Sequence, residues 1–318
     1  MKTKSKRYYL FFVIMASILW GSAYPIVRFL VSDGVDPYLI VSMRIMLTAV
    51  FVAVLLFCSR QKLHFPLYRK NFLPFLLMSI TGTVGFYFFM TYGLGFSTAT
   101  KSSVVIGSNP ILVVLFSYIF LREPLGLRKA IGVVVAISGV FLAVAGGDLL
   151  AGRSLEFGFP DLLLVAGALF WAIYTILNRH YGHNLGYIEG MFWIFIVGAI
   201  LTLPLFIPRA TQLAELSGKQ WFWLLFCGAV PGGVCYFLWN RGLSVLGAST
   251  CSICASFMPA SSTLLSVIFI HEPLVWTQLA GTVLVIVGVL LGVFRSKLPV
   301  NYETGVSLSE AEAEQEAK

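Results

Sequence analysis

The sequence predicts an all-α polytopic membrane protein with ten transmembrane helices in two inverted five-helix repeats. The first observation is composition: of 318 residues, 58% are hydrophobic and only 11% are charged, and the mean hydropathy is +0.88, which exceeds what a soluble core buries. The second is a series of apolar runs, each near the ~20 residues that a spanning helix needs. The third is an internal repeat at a spacing of 149 residues, the distance from Pro110 to Pro259.

The apolar runs place the helices along the chain. Because no water in the bilayer core can satisfy backbone amides, apolar segments of this length must form helices. The first run, from Tyr8 to Leu30, is longer than a typical signal-peptide core and lacks a cleavage pattern, so we expect it to remain in the protein. The runs lie at 8–30, 37–58, 72–95, 99–121, 127–146, 160–180, 187–207, 220–240, 246–270 and 275–295.

The repeat indicates that one five-helix unit occurs twice. Two homologous sets of membrane helices are typical of secondary transporters, in which the halves enclose a substrate site near the bilayer midplane. We therefore divide the chain into a first unit (1–150), a second, inverted unit (151–300) and a polar, acidic tail (301–318). The matched residues include Tyr87 with Tyr236, Pro110 with Pro259, Glu123 with Glu272, Gly132 with Gly281, and Gly139 with Gly288.

The loop charges predict the orientation of both units. The formal net charge is +8, and a cytoplasmic N-terminus places 15 basic residues of the termini and loops inside and five outside, as the positive-inside rule favours. An odd number of helices per unit then inverts the second unit relative to the first. We expect a multi-pass protein of the cytoplasmic (inner) membrane with both termini in the cytoplasm.

Several short motifs resemble one family of membrane proteins. They include Ser17 to Ser22 in the first predicted helix, Leu121-Arg122-Glu123-Pro124 after the fourth, and Arg241-Gly242-Leu243 after the eighth. Together they resemble the EamA family of the drug/metabolite transporter superfamily, over about residues 8–295. The resemblance implies metabolite efflux or exchange, commonly amino acid export or that of related compounds, through a cavity lined by predicted helices 1, 3, 4, 6, 8 and 9.

Two prolines lie at equivalent points within the fourth and ninth predicted helices. Pro110 and Pro259 each remove a backbone donor and oppose the carbonyl one turn earlier, so we expect a kink or hinge at each. The alternative is that both only shape the packing. Asn109 beside Pro110 and Met258 beside Pro259 are candidate substrate-binding residues, although Asn109 could instead satisfy a freed backbone group.

Two basic residues lie within or just inside apolar runs, where a cation is costly unless paired or hydrated. Arg44 is about two turns into the second predicted helix, and we expect its side chain to reach the interface or brace helix ends. Lys101 opens the fourth helix among Thr and Ser residues. Lys101 either contacts a carboxylate substrate or extends to the interface.

Aromatic side chains dominate the candidate substrate site. Aromatic residues form 15% of the chain, and most such residues in membrane proteins pack or lie at interfaces. Trp20 and Trp171 nevertheless fall at corresponding positions, as do Tyr87 and Tyr236, which suits an amphipathic or apolar solute. The predicted substrate-binding residues are Trp20, Tyr24, Tyr87, Lys101, Asn109, Trp171, Tyr174, Tyr236, Trp239 and Met258.

Other chemistries lack the necessary residues. No Asp or Glu falls in the middle of an apolar run, so no proton relay is evident, and no Walker-type phosphate loop is present. Cys251 and Cys254 lie one turn apart without a second ligand pair, so we expect no metal and no cofactor. The expected partners are a small-molecule substrate and the lipid bilayer, not nucleic acid; monomer and dimer both stay open.

Two rival functions stay open. An intramembrane enzyme would need clustered acid, base, nucleophile or metal groups, and His271-Glu272 lacks the second histidine of a zinc-protease helix. We therefore expect no enzymatic activity. A membrane scaffold or sensor without transport is the second alternative, although Pro-interrupted helices in two inverted units favour a moving cavity.

Overall fold

Every regular element in the described part of the chain is a helix. The computed structural model describes residues 6–60, 63–121, 126–150, 158–182, 186–255, 257–273 and 275–293. The acidic tail, Glu123 and Ser256 lie outside these residues. The structure thus confirms the all-helical fold class for the residues it describes.

The helices of the first unit follow the predicted runs, with interruptions. The long second helix, α3, starts at Pro37 because Asp36 accepts hydrogen bonds from the backbone N–H groups of Tyr38 (2.7 Å) and Leu39 (3.4 Å) and caps the first turn. The elements are α1 Lys6–Gly21, α2 Ala23–Ser32, α3 Pro37–Cys58, α4 Phe65–Lys70, α5 Phe72–Ser79, a π-helical segment Ile80–Gly85, α6 Phe86–Phe96, α7 Ala99–Gly107, α8 Asn109–Leu121 and α9 Leu127–Leu150.

The second unit has a similar order of elements. Its helices are α10 Phe159–Tyr181, α11 Tyr187–Phe206 with a 3₁₀ segment Ile207–Ala214, α12 Gly218–Cys227, a π-helical segment Gly228–Val234, α13 Cys235–Ala255, α14 Phe257–Ile270 and α15 Trp276–Val293. The sequence predicted separate helices at 220–240 and 246–270. The backbone instead stays helical across that boundary, within α13.

Six helical stretches in the described residues are long and apolar enough to cross a membrane, judged by length and composition. Three further helices, Ala130–Ala143, Phe257–Ile270 and Trp276–Leu291, are apolar but shorter. Ten crossings therefore stay a prediction. The six stretches are Arg7–Ser32, Pro37–Cys58, Phe72–Phe96, Phe159–Asn178, Tyr187–Ala214 and Gly218–Gly242.

The two π-helical segments occupy equivalent positions in the two units. Ile80–Gly85 joins α5 to α6, and Gly228–Val234 joins α12 to α13, 149 residues later to within one residue. Pro231 lacks a backbone N–H and so prevents a regular α-helical ladder in the second segment. Widened turns of this kind frequently occur at functional sites.

Helices α9 and α15 pack backbone against backbone through matched glycines. A Cβ added at Gly281 would lie 2.5 Å from the carbonyl oxygen of Gly139, and one added at Gly288 would lie 2.6 Å from that of Gly132. Small residues permit such close approach where lipid supplies no hydrophobic driving force. The pairing joins the last helix of one unit to the last helix of the other.

Candidate functional site

A cavity lies between the two units, and side chains of both units line it. Helices α1, α2, α3, α6, α7 and α8 of the first unit and α10, α13 and α14 of the second contribute side chains to it. Eight predicted substrate-binding residues line it: Trp20, Tyr24, Tyr87, Asn109, Trp171, Tyr236, Trp239 and Met258. The other lining residues are Ala23, Arg44, Phe86, Met90, Ile106, Gly107, Val113, Thr175 and Ala255.

Four aromatic rings from both units form the wall of this cavity. The ring of Trp20 lies 5.9 Å from Trp171, 5.5 Å from Tyr236 and 5.1 Å from Trp239, measured between centroids. Trp171 and Tyr236 are 5.6 Å apart. Edge-to-face and tilted pairs at such distances are favourable, so the wall is held in place by its own ring contacts.

Two of these aromatic residues bind the π-helical segments. Trp20 donates its indole N–H to the carbonyl oxygen of Pro231 at 2.7 Å. Tyr236 donates its hydroxyl to the carbonyl oxygen of Gly82 at 3.1 Å. Gly82 and Pro231 are equivalent positions, and each carbonyl is bound by a side chain of the other unit. The widened turns therefore anchor the cavity wall across the interface of the two units.

The break in the fourth predicted helix lies beside the cavity. Helix α7 ends at Gly107 and α8 starts at Asn109, one residue before Pro110. A Cβ at Gly107 would collide with the ring of Pro259, so the two proline regions meet. Asn109 donates its side-chain amide to the carbonyl oxygen of Ala168 at 2.5 Å, which holds the start of α8 against α10.

Arg44 lies in the cavity without a hydrogen-bonding partner in the described part of the chain. The residue is 2% exposed, and its buried Nε and Nη1 atoms make no hydrogen bond there. Its guanidinium carbon lies 4.2 Å from the centroid of the Tyr87 ring. The expectation that Arg44 reaches the interface or braces helix ends is wrong, because α3 turns the side chain toward the space between the units.

Lys101 and Tyr174 are predicted site residues that are absent from the residues lining the cavity. The Lys101 Nζ atom lies 2.8 Å from Asp161 Oδ1, and the Asp161 side chain is only 3% exposed. Lys101 is thus partnered by the protein itself. Tyr174 packs behind the wall, with its ring 5.2 Å from that of Trp171.

Polar contacts between the units close the molecule near Lys101, six residues or about 9 Å of helix from Gly107. In addition to the Lys101–Asp161 pair, the Glu272 carboxylate accepts hydrogen bonds from the backbone N–H groups of Ala99 (2.8 Å) and Thr100 (3.4 Å). A carboxylate at the first turn stabilises a helix start. We call these contacts, made by Ala99, Thr100, Lys101, Asp161 and Glu272, the α7 latch.

The predicted substrate-binding residues did not include Arg44, nor several apolar residues that line the cavity. The signal for Arg44 was its depth, since it is the eighth residue of a 22-residue helix, about 10 Å from the helix start. Phe86 and Met90 lie one turn apart on the same helix face, which spacing alone could have shown. In the described residues no group of three or more His, Cys, Asp or Glu side chains could hold a metal ion.

Comparison with known proteins finds that two segments of the chain match the same family. The model of the EamA-like transporter family matches residues 7–145 and again 158–294. The chain is 25% identical over 283 residues to an uncharacterized transporter of Bacillus subtilis (strain 168), YoaV, covering 89% of this chain and 95% of that protein. It is 22% identical over 291 residues to an uncharacterized inner membrane transporter of Salmonella typhimurium, YicL, covering 88% and 93%.

One solved crystal structure shares the fold. The match covers 91% of this chain and 99% of the chain in that structure, with a TM-score of 0.64 and 17% sequence identity. At that identity the likeness concerns the fold alone.

Proposed function

Since this chain belongs to the EamA-like transporter family, we propose that it is a secondary transporter that moves small amphipathic metabolites across the cytoplasmic membrane by alternating access. The observation that carries the proposal is the aromatic cavity between the two units, lined by residues of both. A site shared by two homologous halves changes its exposure when one half rocks against the other.

The cavity suits a small metabolite with an apolar or aromatic body. Trp20, Trp171, Tyr236 and Trp239 present ring faces and edges, while Arg44 supplies a charge. Amino acids and related compounds combine such a body with charged groups, and we propose them as the substrates, exported or exchanged.

The α7 latch supplies the moving contact of this mechanism. It joins Ala99, Thr100 and Lys101 of the first unit to Asp161 and Glu272 of the second, so rocking of the units must break it. With both termini in the cytoplasm, the latch faces outward. The structure then corresponds to the state that is closed on the outer side.

A flux measurement tests the proposal. Purified protein in liposomes is assayed for uptake of a pooled panel of amino acids and related metabolites, with and without internal counter-substrate. We expect uptake of at least one class that is absent from empty liposomes. Accelerated uptake with counter-substrate would identify exchange, and uptake that counter-substrate does not accelerate would identify facilitated transport without exchange.

A matched pair of variants links flux to the cavity. Ala255 lines the cavity and Ala260 is exposed on α14. We expect Ala255→Phe to reduce flux at least about tenfold, since the added ring fills substrate space, and Ala260→Phe to leave it unchanged. Absence of flux from folded wild-type protein would contradict transport and favour the scaffold or sensor alternative.

A further inference from the structure

We propose that Arg44 is the anion-binding residue of the cavity and that the substrate is an organic monocarboxylate with an apolar or aromatic body. This inference rests on the proposed transport function and names the substrate class of the same site. Its basis is the juxtaposition of one unpartnered guanidinium with a wall of aromatic rings. The first question is why the charge lies there without a partner.

A buried cation is costly in a membrane protein unless it is paired. Two other arginines in the described residues have partners. Arg209 forms an ion pair with Asp36 (3.0 Å) and donates from Nη1 to the carbonyl oxygen of Leu205 at 3.0 Å. Arg28 donates to the carbonyl oxygens of Leu94 and Gly95 at 2.9 and 2.7 Å. For Arg44, the contact in the described residues is the Tyr87 ring face, which satisfies no N–H donor. A bound anion would supply the acceptors that the protein does not.

The rest of the cavity points to the same class of ligand. Among the described residues that line it, none is Asp, Glu or His, so its formal charge is the single positive charge of Arg44. Its polar side chains Asn109 and Thr175 already bind the carbonyl oxygens of Ala168 and Trp171. Specificity for a charged group therefore falls to Arg44.

A carboxylate matches this residue in shape as well as charge. The planar guanidinium presents its N–H donors as a fork that binds both oxygens of a carboxylate. The rings of Trp20, Trp171 and Tyr236 lie within 5.9 Å of one another and would cover the apolar part of the same molecule. An amino acid also carries a carboxylate that Arg44 could bind. Its ammonium group, however, would meet only aromatic ring faces, and a ring face attracts a cation more weakly than a carboxylate does.

Three probes that share a phenyl ring on a two-carbon chain separate these contributions. They are 3-phenylpropanoate, which has only the carboxylate; phenylalanine, which has both charged groups; and phenethylamine, which has only the amine. Binding is measured on the purified full-length chain by the shift in its thermal unfolding midpoint. A thiol-reactive dye reports unfolding in a Cys58→Ser background, because Cys58 is exposed whereas Cys227, Cys235, Cys251 and Cys254 are free and buried.

We expect both carboxylates to raise the unfolding midpoint and the amine to leave it unchanged. Arg44→Met should weaken binding of both carboxylates about 10- to 100-fold, the range of a charge-assisted hydrogen bond. Arg44→Lys, which keeps the charge and loses the fork, should bind them with intermediate affinity. Arg209→Met is the matched control: its guanidinium also lies over a ring, 4.1 Å from the Tyr38 centroid, but outside the cavity, so carboxylate binding should persist.

The unfolding midpoints of the ligand-free proteins distinguish an anion-binding role of Arg44 from a structural one, because the two roles predict opposite shifts for Arg44→Met. If Arg44 awaits an anion, Arg44→Met removes an unpaired buried charge and should keep or raise the unfolding midpoint, whereas Arg209→Met should lower it. Carboxylate binding that survives in Arg44→Met would overturn the proposal. Stabilisation by the amine in place of the carboxylates would overturn it as well.

Flux measurements distinguish failure of this inference from failure of the proposed function. Transport in liposomes that is equal for wild type and Arg44→Met with a carboxylate solute would overturn the anion site and leave transport standing. Arg44-dependent carboxylate binding without any flux would overturn transport and leave the anion site standing.

Discussion

The two units of this protein share features of their backbones and differ in their charged side chains. Both contain a π-helical segment at the same position, and both contribute glycines to the α9–α15 contact. At the position equivalent to Arg44, however, the second unit has Trp193, whose ring stacks on Tyr68 at 3.9 Å. The comparison teaches that the repeat provides two units with matched backbones, while divergent side chains make the charge of the cavity one-sided.

The proline regions, in contrast, are alike in the two units. In the first unit α7 ends at Gly107 and α8 starts at Asn109, and in the second α13 ends at Ala255 and α14 starts at Phe257, which is the same position to within one residue. The two regions touch, because Gly107 leaves room for the Pro259 ring. Whether these prolines act as hinges stays a prediction, which flux measurements on variants at Gly107 would test.

Of the variants proposed here to compare the two units, breaking the Lys101–Asp161 pair of the α7 latch should lower stability most, since it removes a charge contact between the units. Lys101→Met leaves the Asp161 carboxylate buried and unpaired, which costs about 3–5 kcal/mol. We expect a lower unfolding midpoint, and recovery in the double variant Lys101→Met/Asp161→Leu. Carboxylate binding should persist in the double variant, because Lys101 is absent from the cavity lining. Loss of carboxylate binding there would show that Lys101 contacts the substrate.

Disturbing the shared glycine contact should have a smaller effect. Gly281→Leu forces a side chain against the Gly139 backbone and Ala143, and overpacking of this kind costs about 1–3 kcal/mol. Gly126→Leu is the control, since a Cβ there meets open space. Denaturant unfolding of both variants measures the difference. Equal stability of the two would contradict the close α9–α15 packing.

Removing the bonds to the π-helical carbonyls should have the smallest effect and tests the equivalence of the units. Tyr236→Phe deletes the hydroxyl bound to Gly82, and Trp20→Phe deletes the indole N–H bound to Pro231. Each variant loses one hydrogen bond, about 1 kcal/mol, with some added loss of packing for Trp20→Phe. Unfolding free energies that differ widely between the two would show that one segment dominates the anchoring.

The structure brings some of the predicted site residues together and leaves others apart, for physical reasons, and their role in binding stays a prediction. The aromatic residues matched between repeats, such as Tyr87 and Tyr236, both line the cavity between the units. Lys101 looked like Arg44 in hydropathy, yet it is paired with Asp161, a residue about 60 positions away. Pairing between distant residues leaves no trace in the local sequence.

By itself, the sequence determined that this protein is helical, belongs in a membrane and contains one unit twice, because apolar run length and repeat spacing are properties of the chain alone. Only the tertiary structure decided which of two deep cations is partnered and which faces the cavity. Side-chain direction depends on the rotation of each helix about its axis, and packing against the opposite unit sets that rotation.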